Sequence, residues 1–96
     1  MLSELISSKE AYFNIRAGFL TIKHTHQPLI IDEVPKTHRH YRVVTFNYCS
    51  LKSLEGIEQF EDIEELNLKF NSIEDIEELE RIRNKDKIVK LDFSGN

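Results

Sequence analysis

Four histidines fall into two copies of one pattern, His24-x-His26 and His38-x-His40. Residues two apart on an extended strand project from the same face, so each pair can present two imidazoles together. Two such strands lying side by side would gather four neutral imidazoles, the donor set of a tetrahedral metal site. That reading requires the two segments to pair, and no carboxylate stands where it would orient the rings from behind. The alternative is four surface histidines whose only chemistry is a response to pH. Cys49 is the one cysteine and has no evident catalytic partner, so it reads as structural. The three glycines, Gly18, Gly56 and Gly95, stand apart, which excludes a phosphate-cradling loop. Neither Gly-x-Ser-x-Gly nor His-Glu-x-x-His occurs. The expectation is a protein that is not an enzyme and carries no cofactor.

Charge and hydropathy narrow the class of partner. The formal net charge is −4, and residues 55–80 hold eleven acidic side chains against one basic one, Lys69. Such a surface repels phosphate backbones, so nucleic acid is not an expected partner. No apolar run approaches the roughly 20 residues of a membrane helix, and the acidic start "MLSELISSKEAY" is unlike a secretory signal. One cysteine leaves no internal disulfide, so a reducing compartment, cytoplasm or nucleus, is expected.

The elements that must position any site follow from an internal repeat. At a 22-residue offset, Tyr41, Val44, Phe46, Cys49, Leu51, Leu54, Ile57 and Phe60 fall on Ile63, Leu66, Leu68, Asn71, Ile73, Ile76, Leu79 and Ile82. A partial third unit runs through Ile88, Leu91, Phe93 and Asn96, after a second unit lengthened within "RNKDK". Leu66 and Leu68 alternate as on a short strand, pointing inward while Asn67 and Lys69 point outward. A buried amide at Asn71 or Asn96 can satisfy backbone groups where the chain turns away from the strand, and Cys49 takes that place in the first unit. "SLEGIEQFED" and "DIEELERI" space apolar residues three apart, as a short helix or 3-10 turn does.

"IEELNLKFNSI" and, with substitutions, "YRVVTFNYCSL" resemble the leucine-rich repeat motif L-x-x-L-x-L-x-x-N/C-x-L. The spacing is similar to the short subclass found in a phosphatase regulatory subunit and in ciliary and axonemal proteins. The resemblance covers residues 41–96, divided 41–62, 63–87 and a partial 88–96. It implies an α/β solenoid with a parallel sheet on its concave side, short helical or 3-10 turns on its convex side, and a cytoplasmic, cytoskeletal or ciliary setting.

Residues 1–40 lack the repeat and are expected to form an α+β cap. A capping box, Ser7 with Glu10, and a stop at Gly18 predict a helix over about 8–17. Extended segments are expected at about 19–26 and 29–34, with Pro28 and Pro35 at their edges. The third unit breaks off inside its motif at Asn96, which predicts the N-terminal part of a longer protein, or an open edge covered by a partner. Function is then protein recognition or scaffolding by the concave face. Its expected contact residues are Arg42, Val43, Thr45, Asn47, Tyr48, Glu64, Glu65, Asn67, Lys69, Phe70, Lys90 and Asp92. Tyr48 and Phe70 share one repeat position and should stack about 5 Å apart. The alternatives are assembly through the open C-terminal edge, including self-association, and metal binding by the histidines.

Overall fold

A computed structural model describes residues 1–8, 10–82 and 85–96. Strands β1 (Tyr12–Asn14), β2 (Phe19–Lys23), β3 (Val43–Asn47), β4 (Glu65–Asn67) and β5 (Lys90–Asp92) form one sheet in chain order. β1 is antiparallel to β2, and every later neighbour is parallel. The register sets Leu20, Val44, Leu66 and Leu91 in one row and Thr21, Thr45, Asn67 and Asp92 in the next. Strand alternation sends these two rows to opposite faces. One face is covered by the chain returning from each strand, and the other is open.

Parallel neighbours require a crossover, and here each is short. The 3-10 helices Lys36–His38, Ile57–Gln59, Ile76–Arg81 and Lys85–Lys87 lie in the three connections. Leu51, Leu54, Ile57 and Phe60 of the second connection pack on Val44 and Phe46, and all six are buried. Gly56 begins the Ile57–Gln59 turn at φ 98°, and a Cβ there would lie 2.4 Å from the Ile31 carbonyl oxygen. Only glycine permits both that backbone and that approach.

The N-terminal region departs from expectation. The helix α1 spans Leu2–Ser8, not 8–17. It buries Leu2 and Ile6, four apart on one face, and is held by Ser3, whose N–H and hydroxyl both donate to Asp32. Ser7 lies inside this helix, so it caps nothing. Tyr12 and Phe13 join a hairpin, and the Asn14 side chain accepts the Ala17 N–H at 3.0 Å to close the turn that Gly18 completes. A local amide-backed turn and sheet pairing here defeat a short helix containing two aromatic residues. Of the segment 19–26 expected to be extended, only 19–23 form a strand, and 29–34 form none. That segment buries Leu29, Ile31 and Val34 and is tied by the Gln59 side chain, which accepts from Val34 N–H and donates to Asp32 O.

β2 pairs in parallel with β3 in full register, so the repeating row begins one strand before residue 41. In the second unit Ile76 is 68 % exposed and Leu79 half-buried, unlike their counterparts Leu54 and Ile57. The second unit is tied to the first here by Glu78, which accepts both the Leu54 N–H and the Ser53 hydroxyl. The lengthening within residues 83–87 lies in part outside the described residues. Among the described residues no helix is long and apolar enough to cross a membrane.

Burial separates the consequences of two substitutions that sequence alone would treat alike. Leu68→Ala, at a fully buried site, should cost about 2–5 kcal/mol. Ile76→Ala should fall within about 1 kcal/mol of wild type. Chemical denaturation of the two variants checks this, and equal losses would contradict the assignment of the covered face.

Candidate functional site

The site is built by the turn that ends each strand. Asn71 is 7 % exposed and its amide makes four bonds, accepting from Cys49 N–H (3.0 Å) and Leu51 N–H (3.1 Å) and donating to Phe46 O (2.6 Å) and Lys69 O (3.4 Å). Asn96 repeats the role one unit on, accepting from Ile73 N–H and donating to Leu68 O. Cys49 stands in the same row, its thiol directed at Ile22 O and Asn47 O. Burial pushes that thiol up to about 11 against an opposing hydrogen bond from Thr25, so it stays protonated and unreactive.

To bring these side chains beneath the sheet, the residue before each one takes a left-handed backbone. His24, Tyr48, Phe70 and Gly95 have φ of 56°, 57°, 54° and 75°. Left-handed φ is uncommon at residues other than glycine, and here it recurs at one position of every unit. Parallel backbone bonds continue through it, from Tyr48 N–H to Lys69 O and from Phe70 N–H to Ser94 O. The geometry throws each side chain outward at the rim of the sheet. His24 stacks on Tyr48 with centroids 4.6 Å apart, and Tyr48 stacks on Phe70 at 4.8 Å with 15° between planes. Phe70 in turn lies over Gly95, where a Cβ would meet its ring at 2.4 Å. The ladder leaves Tyr48 45 % and Phe70 48 % exposed.

The open face beside the ladder is polar and largely paired across strands. Arg42 meets Glu64 (3.8 Å), Lys90 meets Glu65 (3.6 Å) and Lys69 meets Asp92 (3.4 Å). Hydrogen bonds from Ser94, with Lys69 adding to them, hold the Asp92 carboxyl below its ordinary range. Thr45 corrects the expectation of an exposed contact residue. It is 8 % exposed and its hydroxyl accepts from Asn67 Nδ2 at 3.1 Å. Asn47 is half-buried and occupied by the Lys69 N–H. Arg42, Tyr48, Glu64, Phe70 and Lys90 are exposed, and Val43, Glu65, Asn67, Lys69 and Asp92 are half-buried. Tyr12 and Phe19, stacked at 5.6 Å on the β1–β2 side, join the open face without having been foreseen. The signal for them was Leu20-x-Ile22, a row of the same pattern lacking the residues that start the motif.

The histidine pairs do not assemble. His24 and His26 lie beyond the C-terminal end of β2, on a cleft of about 680 Å³ facing α1, whereas His38 and His40 precede β3 at the opposite end of the sheet. His38 ends a 3-10 helix, so the strand geometry needed to align it with His40 is lacking. His40 contacts Asp62 (2.7 Å) and Glu61 (3.6 Å). Among the described residues no group of three or more His, Cys, Asp or Glu is arranged to hold a metal ion. His38 instead packs edge-on to Phe13 and shares a hydrogen bond between Nδ1 and the Tyr41 hydroxyl at 2.6 Å. Burial lowers His38 and pushes Tyr41 up to about 12, so the pair is neutral. Protein-family models, curated proteins and solved structures give no match to this chain.

The His38 environment fixes the sign of a pH effect. Its folded value lies below its unfolded one, so the stability it contributes is complete above about pH 6.5 and lost as pH falls below that. Melting temperatures at pH 7.5 and 5.0 should fall more in wild type than in His38→Gln, which retains an acceptor for Tyr41 without a charge. Equal decreases would contradict the neutral pair.

Proposed function

We propose that the chain is a non-enzymatic module of leucine-rich-repeat type that recognises a partner protein on the open face of its sheet. The parallel strands would form the concave side of a short solenoid, and the 3-10 connections its convex side. The observation that carries this reading is the stack of Tyr48 and Phe70, held half-exposed at 4.8 Å on a face whose charges are otherwise paired. Rigid exposed aromatics lose little conformational freedom on binding and are frequent interface hot spots. The backbone prepares them, because each ring stands on the left-handed residue just before a buried turn side chain, Cys49 after Tyr48 and Asn71 after Phe70.

The surrounding chemistry favours a peptide or protein with mixed charge over a polyanion. Lys69, Lys90 and Arg42 alternate with Glu64, Glu65 and Asp92, so a partner would displace weak, solvent-exposed pairs at little cost. Tyr12 and Phe19 extend the aromatic surface toward β1. The setting consistent with this reading is intracellular and cytoplasmic, as for the ciliary and axonemal proteins it resembles.

A displayed random-peptide library selected on wild-type protein tests the assignment. Selected peptides should lose about thirtyfold in affinity for Phe70→Ala, the effect of a 2 kcal/mol hot spot, while its melting temperature stays close to wild type. Peptides that bind Phe70→Ala and Tyr48→Ala as tightly as wild type would place recognition elsewhere.

A further inference from the structure

The connections on either side of β3 leave a cleft of about 670 Å³ between residues 28–31 and 52–58, on the covered side of the sheet. Its walls are fixed. Leu29 donates its N–H to Cys49 O at 2.9 Å, and Ser53 and Leu54 are tied to Glu78. Gln59 joins one wall to the other, accepting from Val34 N–H and donating to Asp32 O. The walls meet at Gly56, where a Cβ would lie 2.9 Å from the Ile31 side chain. Ser53 and Gly56 are too small to fill the space between them, and Ile30 lines it while 57 % exposed. The rim is acidic, with Glu55 and Glu58 beside one cation, Lys52. At the 22-residue offset Glu74 replaces Lys52, and Glu77 and Glu80 follow Glu55 and Glu58, so the acids recur and the cation does not. Arg81 is taken up by Glu78. Among the described residues the Glu55 carboxylate has no partner.

We propose that this cleft is a second docking site, separate from the open face, for a basic segment of a partner protein. The segment seats one large apolar side chain against Ile30, and its lysines and arginines meet Glu55, Glu58 and Glu77. Charge and shape each select part of that occupant. A surface of one sign draws in segments of the opposite sign, and residues 55–80 carry eleven acids against Lys69, which pairs with Asp92 on the open face. An acidic or uncharged segment would cover Glu55 without supplying a counter-charge, which is costly. A polycation lacking an apolar residue would satisfy the rim and leave Ile30 in water. A cleft of this volume is within the range that takes up large apolar groups. Because both walls are already held by hydrogen bonds, docking orders little of the chain. The sites differ in kind, since charges on the open face are paired across strands and those at the cleft are predominantly acidic.

Fluorescence anisotropy with a labelled nonapeptide, alternating lysine and arginine about a central phenylalanine, tests the site. The peptide should bind the chain saturably, one to one, and exchanging its phenylalanine for alanine should weaken binding about tenfold. Ile30→Ser and Glu55→Lys, both at exposed positions, should each cost a similar factor with an unchanged melting temperature. Tyr48→Ala should leave the affinity as it is, which separates this cleft from the aromatic stack. Absence of saturable binding would overturn the proposal. So would equal affinity for the alanine peptide, which is charge attraction alone, or equal affinity of folded Ile30→Ser and Glu55→Lys. Loss of binding in Tyr48→Ala with none in Ile30→Ser would move the basic segment to the open face and equally refute it.

Discussion

A single buried amide governs how this chain turns. Asn71 sits where the backbone must leave a strand and pass beneath the sheet, a place where the Cys49 and Leu51 N–H groups would otherwise lose water without gaining partners. Leaving such a buried group unpaired costs about 1–3 kcal/mol, so one side chain with two donors and two acceptor sites offsets several such penalties at once. Three of the bonds run to the preceding unit, to Phe46, Cys49 and Leu51, and therefore also lock two neighbouring units in register. Asn96 does the same one unit later, while Cys49 fills the row with a thiol directed at two carbonyls. Among the described residues no buried side-chain nitrogen or oxygen lacks a partner.

The outer face inherits its form from this inner row. Reaching the buried position forces a left-handed residue just before it, and that residue's side chain must emerge at the rim. Repetition at one strand spacing turns separate side chains into a stack, so the alignment of His24, Tyr48 and Phe70 is a by-product of the repeated left-handed turn. Gly95 occupies the next position, where the absence of a side chain lets Phe70 lie flat over the backbone. Because the covered face holds the fold together, the open face is left to exposed ion pairs of small worth. Those side chains can be rearranged by a partner without unfolding the sheet.

Much of this was legible in the residues. The 22-residue offset located β3 and β4, the lengthened second unit still led to β5 at Leu91, and the alternation of Leu66 and Leu68 with Asn67 and Lys69 assigned the two faces. The stack of Tyr48 on Phe70 followed from their shared position. The N-terminal region was not legible, for a physical reason. Ser7, Glu10 and Gly18 carry local helix signals, but Tyr12 and Phe13 gain more by pairing with β2, and local capping is worth too little to resist. Leu20 and Ile22 follow the pattern of Val44 and Phe46, but Ala17 and Thr25 are too small or too polar to mark the rest of the motif. The histidine pairing failed because spacing along the chain says nothing about which ends of parallel strands coincide. His24 trails its strand and His38 precedes the next.

Amide hydrogen exchange at Cys49 and Leu51 tests the central role of Asn71 most directly. Both N–H groups donate to its side-chain oxygen and to no strand neighbour. The account predicts that they exchange as slowly as the β3 amides in wild type, and that Asn71→Ala removes their protection ahead of that of Val44 and Phe46. Fast exchange at both positions in wild type, or protection that survives Asn71→Ala, would contradict it.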